Sequence, residues 1–261
     1  MFNIHKLGNN SFKFPFTKDA FTLYKHVTEQ YKDNVVLDYV RQLIPSEIKT
    51  RMQRETSNYA NSSNSYNKTK NDSLMLLLHW FKNDFMRWMN NNQICDSCKT
   101  PMDFQQINGK SWKLRAVEHY ICPICKSCLV FPRYGEIKEI VDSRIGRCSE
   151  WSMLFGAVLN SLSIETVLVH DFLNHCWNES LIDGKWTHID STLEYPISLG
   201  HFDYYEKNWG KKYIYVLAFS DSNVEDVTMH YTQKSHNVHQ TRSKHKIDNI
   251  MDTFKGYYLS I

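Results

Sequence analysis

The dipeptide Asp183-Gly184 constrains the fold more than any other feature, because it predicts a two-residue β-hairpin turn between two strand-like segments. Residues 175–182 would form the outgoing strand and residues 185–190 the returning strand. With a two-residue turn, His175 and Asp190 become diagonal neighbours on one face of the hairpin. A three-residue turn would instead place Asp190 on the opposite face, so the pairing depends on the length of the turn.

A buried helix is predicted upstream of this hairpin, from Cys148 to about Leu162. Its apolar residues recur with the helical period of about 3.6 residues. They are Trp151, Leu154, Phe155, Val158, Leu159 and Leu162. Gly146 supplies a permissive turn before the helix, so Cys148 is expected in the first turn. There, free backbone N–H groups and the helix dipole favour the thiolate form of a cysteine.

A thiol, an imidazole and a carboxylate in this order can form the triad of a cysteine hydrolase. Cys148 would be the nucleophile, His175 the base and Asp190 the group that orients the imidazole. Each residue also has a purely structural alternative: a buried thiol, a core histidine with satisfied hydrogen bonds, or an aspartate that ends a strand. Taken singly, each residue favours its structural alternative; taken together, the three favour the triad.

Two Cys-x-x-Cys pairs, Cys95 with Cys98 and Cys122 with Cys125, are separated by 23 residues. This spacing predicts a tetrahedral site in which four thiolates bind one Zn²⁺ ion. The ion would be structural, because no coordination position remains open for catalysis. The alternative is a set of buried reduced cysteines. Cys128 is interpreted as an inert spare thiol, with a substitute metal ligand as the alternative. The odd total of seven cysteines fits a reducing compartment better than a disulfide framework.

The chain divides into residues 1–73, a helical segment with an Asn/Ser-rich flexible loop at 53–73, and residues 74–261, which would contain the triad and a zinc lobe at 90–135. Ser73 is expected to cap a helix that runs to about Met89. That helix would bury Leu74, Leu77, Leu78, Phe81, Phe85 and Trp88. An amphipathic helix is predicted near the end of the chain, through Ile247, Ile250, Met251 and Phe254.

The overall charge and hydropathy argue against two classes of partner. A net charge of +3 is too small to indicate a nucleic-acid surface. No segment approaches the ~18 consecutive apolar residues of a membrane helix. The first residues lack the basic-then-apolar pattern of a secretory signal. We therefore expect no nucleic acid and no membrane as partners, and a location in the cytoplasm, with the nucleus as a second compartment.

Together these motifs resemble the cytoplasmic peptide:N-glycanases (PNGases), enzymes of the transglutaminase-like superfamily that remove N-glycans from misfolded glycoproteins. The resemblance covers roughly residues 74–232 and includes the two cysteine pairs. The other matching segments, in order, are Phe131-Pro132-Arg133-Tyr134, Gly146-Arg147-Cys148, Glu150-Trp151, His175-x-Trp177-x-Glu179, Trp186-x-His188-x-Asp190, Trp209-Gly210-Lys211-Lys212 and Glu225-Asp226-Val227-Thr228.

The resemblance implies an α+β fold with a transglutaminase/papain-like core. In such a core the nucleophile begins a helix that packs on an antiparallel sheet, and the four-cysteine zinc lobe is an insertion. It also implies peptide-N4-(N-acetyl-beta-glucosaminyl)asparagine amidase activity in ER-associated degradation, through a thioester. Cys148 would be the nucleophile, His175 the general base and acid, and Asp190 the orienting carboxylate.

Substrate and partners follow from the same resemblance. The substrate-binding residues would be Trp177, Glu179, Trp186 and Trp209, with core packing as the alternative for each tryptophan. The partners would be denatured N-glycosylated proteins and a ubiquitin-receptor shuttle protein linked to the proteasome. The sequence departs from the family at Ser149, usually a glycine, and at Ser191-Thr192, usually a proline-containing pair; both changes could alter substrate access.

Two other functions stay open at the level of the sequence. One is a catalytically inactive transglutaminase-like scaffold that binds glycoprotein or damaged DNA, although the small net charge argues against DNA. The other is a cysteine peptidase or transglutaminase that shares the triad and acts on a different amide. The zinc pairs and the Trp/Glu face favour the glycanase over both.

Overall fold

The computed structural model describes residues 18–57, 66–245, 247–248 and 250–261. Its helices are α1 (Lys18–Gln30), α2 (Asn34–Leu43), α3 (Ser46–Ser57), α4 (Tyr66–Trp80), α5 (Ile137–Ser143), α6 (Cys148–Ser161), α7 (Tyr204–Asn208), α8 (Thr228–Tyr231), α9 (Ser235–Lys244) and α10 (Ile250–Ser260). Its strands are β1 (Arg87–Trp88), β2 (Asp103–Asn108), β3 (Leu114–Ile121), β4 (Cys128–Tyr134), β5 (Ile145–Gly146), β6 (Thr166–His170), β7 (Cys176–Ile182), β8 (Lys185–Ile189), β9 (Leu217–Phe219) and β10 (Val224–Asp226).

The main sheet is antiparallel, with the strand order β10-β9-β6-β7-β8. The hairpin between β7 and β8 has the predicted two-residue turn, because Ile182 pairs with Lys185. Asp183 and Gly184 both have positive φ, 51° and 74°, as a type I′ turn requires. This register brings the start of β7 and the end of β8 together, which is where the predicted histidine and aspartate lie.

Helix α6 is the centre of the fold, and its predicted span is confirmed. Twelve of its fourteen residues are buried. It packs against β6 and β7 on one side and against α2 and α5 on the other. Gly156 allows a close approach, since a Cβ there would lie 2.3 Å from the hydroxyl of Tyr31. That hydroxyl donates a hydrogen bond to the carbonyl of Met153, 2.8 Å away, and so fixes the turn that follows α1 to α6.

Residues on both sides of position 73, the predicted boundary between the two segments of the chain, share one hydrophobic core. Phe21 and Val27 of α1 belong to the same buried cluster as Leu154 of α6 and Phe254 of α10. Phe21 contacts the rings of Phe219 and Phe254, with centroids 5.5 and 5.1 Å apart. The α+β architecture with a helix on an antiparallel sheet, predicted from the sequence, is confirmed.

The four cysteines of the predicted metal site lie beside a second, three-stranded antiparallel sheet with the order β2-β3-β4. This sheet and the cysteine loops around it form a lobe, called the cysteine lobe below. Its β3 is buried on alternate residues, and the buried face includes Glu118 and Tyr120. This face lies against the start of α6, because Glu118 accepts hydrogen bonds from Arg147, the residue before the predicted nucleophile.

Three predictions about local structure are wrong. The helix expected from Ser73 begins earlier, so Ser73 is inside α4. It ends in a π-helical turn, Phe81–Phe85, where the N–H of Met86 donates to the carbonyl of Phe81 at 2.9 Å. Trp88 is therefore on a strand and 47% exposed. The flexible loop expected at 53–73 is partly helical, because α3 and α4 cover both of its ends; residues 58–65 lie outside the described residues.

The C-terminal helix α10 begins at Ile250 rather than Ile247, although Ile247 is buried in the main core. Among the helices that the structure describes, none has the length and apolar character needed to cross a bilayer.

Candidate active site

Cys148 is the first residue of α6, where the helix exposes its free N–H groups. Arg147 is the N-cap, and its backbone N–H donates to the Glu150 carboxylate at 3.1 Å. The Cys148 side chain is partly exposed, and its sulfur lies 3.8 Å from the carbonyl oxygen of Asn174. The nucleophile candidate therefore combines solvent access with the positive end of a helix dipole.

His175 and Asp190 meet as the hairpin register predicts. Nε2 of His175 lies 2.7 Å from Oδ2 of Asp190, and both side chains are buried. The same carboxylate oxygen accepts a hydrogen bond from the hydroxyl of Tyr205 at 2.6 Å. Its other oxygen accepts from the backbone N–H and hydroxyl of Thr192, at 2.8 and 2.7 Å. Asp190 is thus held by four donors, which fixes the direction of the imidazole.

The charges of Cys148, His175 and Asp190 stabilise one another and shift the pKa values of the thiol and the imidazole. Burial alone would lower the pKa of His175, but the negative charge and hydrogen bond of Asp190, with the Cys148 sulfur, outweigh it and raise the pKa to about 10. The pKa of the Cys148 thiol is well below its usual value, because the Cys176 thiol and the protonated His175 stabilise the thiolate more than burial opposes it. Near neutral pH the site therefore holds a thiolate and an imidazolium beside a carboxylate.

A buried ion pair fixes the loop before His175. One carboxylate oxygen of Asp171 accepts hydrogen bonds from the backbone N–H groups of Leu173, Asn174 and His175, at 2.9 to 3.0 Å. The other oxygen pairs with the ammonium group of Lys211. Sequence reasoning gave no role to Asp171 or Tyr205, and it treated Thr192 only as part of a departure from the family that could alter substrate access. Only Lys211 had a signal, since it belongs to the Trp209-Gly210-Lys211-Lys212 segment.

The sulfur opens into a cleft of about 800 Å³. The side chains that line it include Trp88, Arg147, Cys148, His175, Thr192 and Trp209. Trp209 fits the predicted substrate contact, because it is 45% exposed and its ring lies 5.1 Å from that of His175. Trp88 is a second aromatic residue in the lining of the cleft, although the sequence predicted that it is buried on a helix. Trp186 is 39% exposed on β8, outside the lining of this cleft.

Trp177 and Glu179 are 0% and 1% exposed, which corrects the expectation that they contact substrate directly. Nε1 of Trp177 donates to the hydroxyl of Tyr231 at 2.7 Å, and that hydroxyl donates to Glu179 at 2.6 Å. His230 also lies beside Glu179, at 3.2 Å. The ring of Trp177 packs 5.7 Å from that of His175. These buried residues therefore hold the ring of Trp177 against His175, on the side of the histidine away from the cleft.

A buried network of charges joins the cysteine lobe to the nucleophile. Glu118 of β3 accepts hydrogen bonds from Arg133 at 2.9 Å and from both terminal nitrogens of Arg147 at 2.6 and 2.8 Å. Arg133 also donates to Glu150 at 2.8 Å. Burial would raise the pKa of Glu118, but its hydrogen bonds with Arg147, Tyr120 and Arg133 lower it to about 2. A displacement of the lobe would therefore move the residue next to Cys148.

Ser149 belongs to this network and does not line the cleft. Its hydroxyl is buried, accepts from Arg115 at 3.2 Å and from Arg133 at 3.0 Å, and donates to Glu150 at 3.2 Å. This placement corrects the expectation that the serine alters substrate access.

Because the Ser149 hydroxyl satisfies charged groups, replacing it with glycine should lower the free energy of unfolding by ~1–2 kcal/mol. The rate of substrate turnover should stay close to that of the natural chain. Thermal unfolding and initial rates would check both expectations. Ser149→Ala is the matched control, because it removes the hydroxyl and keeps helix propensity. A change in substrate specificity with unaltered stability would contradict this role.

The four predicted metal ligands come together. The sulfurs of Cys95, Cys98, Cys122 and Cys125 all lie within 4.8 Å of one another, and those of Cys95 and Cys125 are 3.6 Å apart. A tetrahedral ion with metal–sulfur bonds of ~2.3 Å requires sulfur separations of about 3.8 Å. Each pair lies in a tight turn that ends at a residue with positive φ, Lys99 or Lys126. The cluster therefore fits a metal ion, and Cys128 lies outside it.

Comparisons with known proteins agree with this geometry. A family model described as "Transglutaminase-like superfamily" matches residues 104–191. The peptide-N(4)-(N-acetyl-beta-glucosaminyl)asparagine amidase of Mus musculus is 31% identical over 245 residues, which cover 89% of this chain and 36% of the relative. The Homo sapiens protein of that name is 32% identical over 80% of this chain and 33% of its own length. The Oryza sativa protein is 32% identical over 78% and 46%.

The chain therefore spans between a third and a half of the length of these relatives. A solved structure of the Rad4/XPC nucleotide excision repair complex shares the fold, with a TM-score of 0.50 at 12% identity over 92% of this chain and 59% of that one. Residues 104–191 thus form a transglutaminase-like region, and the chain is similar over most of its length to proteins named peptide-N(4)-(N-acetyl-beta-glucosaminyl)asparagine amidase.

Proposed function

We propose that this chain is a peptide:N-glycanase, a hydrolase that cleaves the side-chain amide of a glycosylated asparagine. The observation that carries the proposal is that Cys148 and His175 line one cleft with an exposed tryptophan, Trp209, while buried Asp190 holds His175 from behind. The relatives named peptide-N(4)-(N-acetyl-beta-glucosaminyl)asparagine amidase support this choice of substrate. An inactive scaffold is a poorer explanation, since all three reacting groups are present and aligned.

In the first half of the reaction, the Cys148 thiolate attacks the amide carbon of the glycosylated asparagine. The N–H groups at the start of α6 lie where they can stabilise the negative oxygen of the tetrahedral intermediate. His175, protonated at this stage, gives its proton to the departing amide nitrogen as the C–N bond breaks. The products of this step are a thioester on Cys148 and a free glycosylamine.

In the second half, neutral His175 takes a proton from water, and the resulting hydroxide attacks the thioester carbon. The C–S bond breaks and the thiolate leaves, so the thiolate and the imidazolium are both restored. The asparagine has become an aspartate. Asp190 keeps its charge throughout and stabilises the imidazolium in both halves.

Product analysis tests the reaction directly. A denatured high-mannose glycoprotein should lose its glycans on incubation, seen as a gel shift. Mass spectrometry should find aspartate at the former glycosylation site and an intact glycan in solution. A sample whose thiols have been blocked with iodoacetamide is the control and should be inactive. Asparagine that still carries one sugar would identify a glycosidase instead and would overturn the proposal.

We further propose that the four-cysteine cluster holds one Zn²⁺ ion with a structural role. Four thiolates suit zinc and leave no position for substrate. Residues of the lobe reach Arg147 and Glu150 through the buried arginine–glutamate network, so the ion would act on catalysis only by holding that network in place. We also propose that the chain acts on denatured glycoproteins in the cytoplasm, as part of ER-associated degradation. Reduced cysteines agree with this compartment.

Cys122→Ser should lower the bound zinc from one ion per chain to nearly none, because it removes one of the four ligands. It should also lower the temperature of unfolding. Elemental analysis and thermal unfolding would measure these changes. Cys128→Ser, outside the cluster, is the matched control and should keep its zinc. Full zinc content in Cys122→Ser would show that the ion is bound at a different site.

A further inference from the structure

A hydrogen-bonded pair of side chains lies behind the carboxylate of the proposed triad. The hydroxyl of Tyr205 in α7 lies 2.6 Å from Oδ2 of Asp190, the same oxygen that contacts His175. It also lies 2.8 Å from Nε2 of His188 in β8. Tyr205 and His188 are both 0% exposed. The reaction scheme above gives neither residue a task, although together they continue the line of hydrogen bonds from the triad into the interior.

The chemistry of these groups fixes the direction of both hydrogen bonds. An ionised carboxylate can only accept, so the hydroxyl of Tyr205 donates to Asp190. Burial and the nearby charge of Asp190 raise the pKa of Tyr205 well above its usual value, so the hydroxyl keeps its proton. Since that one proton points at the carboxylate, the oxygen of Tyr205 must accept from His188, which requires a proton on Nε2 of the histidine.

His188 is buried in a way that lowers the stability of the protein. Burial, the largest influence, lowers its pKa to about 4, so near pH 7 the ring is neutral and carries one proton, on Nε2. Nδ1 is then an acceptor, and it has no hydrogen-bond partner among the residues that the structure describes. The rings of Trp177, Phe202 and Tyr231 lie around it, with centroids 6.0 to 6.2 Å away. An unpartnered buried nitrogen is unfavourable, and such exceptions are typical of residues with a function.

The acidity of His175 gives this pair a function. A general acid is most effective when its pKa lies near the working pH. Asp190 already raises the pKa of His175 to about 10, so a still more basic carboxylate would make the imidazolium a weaker acid. A hydrogen bond to Oδ2 draws negative charge away from the oxygen that faces the imidazolium, and so it opposes a further rise.

We propose that Tyr205, supported by the histidine behind it, is a positioning residue that limits how tightly Asp190 holds the proton of His175. The N–H of His188 polarises the hydroxyl and strengthens its donation to the carboxylate. The carboxylate still fixes the direction of the imidazole, but the ring can release its proton to the leaving nitrogen. The proposal rests on the proposed function only in naming His175 as the general acid.

The other charged groups around this pair stay the same when its hydrogen bonds are removed. Glu179 lies opposite His188 in the register of β7 and β8. The ammonium group of Lys211 lies 5.8 Å from the ring of Tyr205. His201 also acts on the charge of His188. Replacing Tyr205 or His188 by a neutral residue changes none of these charges, so a change in the acidity of His175 would report the lost hydrogen bond.

The test is an NMR titration of the ring nitrogens of His175. Tyr205→Phe removes the hydroxyl and keeps the ring, whose centroid lies 5.2 Å from that of His175 and 5.0 Å from that of Trp209. We expect the midpoint of the titration to rise by about one pH unit in this variant. The kcat for deglycosylation should fall ~10-fold, with KM close to its natural value, because the imidazolium is a weaker acid.

Two substitutions of His188 test its part in the pair. His188→Leu removes the donor behind the hydroxyl and should give a smaller rise of the His175 midpoint. His188→Gln keeps an N–H group near the position of Nε2, and its midpoint should stay at the natural value. In a chain that already carries Tyr205→Phe, His188→Leu should cause no further rise, because its effect passes through the hydroxyl.

A merely structural role predicts the opposite sign. If Tyr205 only kept Asp190 in place, its loss would loosen the carboxylate from the imidazole, and the midpoint would fall. A lower or unchanged midpoint in a folded Tyr205→Phe protein would therefore overturn the proposal. So would equal midpoints in His188→Leu and His188→Gln.

Thermal unfolding shows which variants are folded. If Tyr205→Phe does not fold, His188→Leu decides, and an unchanged midpoint there would also overturn the proposal. The titration needs no glycoprotein, so this proposal and the proposed function can fail separately.

Discussion

Cys148→Ala will reduce the deglycosylation of a denatured glycoprotein to the background rate. The alanine has no atom that can form the thioester, so both halves of the reaction lose their common intermediate. Removing the nucleophile of a comparable triad lowers kcat by about 10⁶-fold, which is below the detection limit of a gel assay. Initial rates measured with the purified variant and the natural chain would check this result.

The fold should survive this substitution, because the sulfur is partly exposed and α6 is held by its buried face. Cys128→Ala is the matched control, since Cys128 is an exposed thiol outside the metal cluster. It should retain full activity. Substantial deglycosylation by a folded Cys148→Ala protein would rule out covalent catalysis at this residue.

The parts of the site that the sequence predicted are those fixed by local rules. The Asp183-Gly184 turn has a defined length, so it determined which residues of β7 and β8 face each other. The apolar period of α6 placed Cys148 in its first turn. The cysteine spacing brought together four sulfurs. In each case a few neighbouring residues carry enough information to set the geometry.

The parts that the sequence missed depend on contacts between distant elements. Tyr205 reaches Asp190 from α7, and Lys211 reaches Asp171 across a separation of 40 residues. No local pattern indicates such pairs. For Trp177 and Glu179 the sequence predicted a contact with substrate that the structure does not show. The two residues do share one face of β7, but Tyr231 and its neighbours cover that face. Alternation identifies a face of a strand and cannot show what covers it.

Asp190→Asn will lower kcat by about 10⁴-fold, the loss expected when the carboxylate of such a triad becomes an amide. In the natural chain, burial tends to lower the pKa of His175, and the charge of Asp190 is the largest influence that raises it to about 10. An asparagine removes that charge while burial remains. The pKa of His175 should therefore fall, and the imidazolium that donates to the leaving nitrogen should be lost at neutral pH.

The pH profile separates this role from a merely structural one. For the natural chain, kcat/KM should fall at acid pH as the Cys148 thiolate is protonated and at alkaline pH as His175 loses its proton near pH 10. Asp190→Asn should move the alkaline limb to lower pH. Asp203→Asn, at an exposed carboxylate paired with Lys207, is the matched control and should leave both limbs in place. An alkaline limb that does not move in Asp190→Asn, in a protein with normal thermal unfolding, would show that Asp190 does not set the charge of the imidazole.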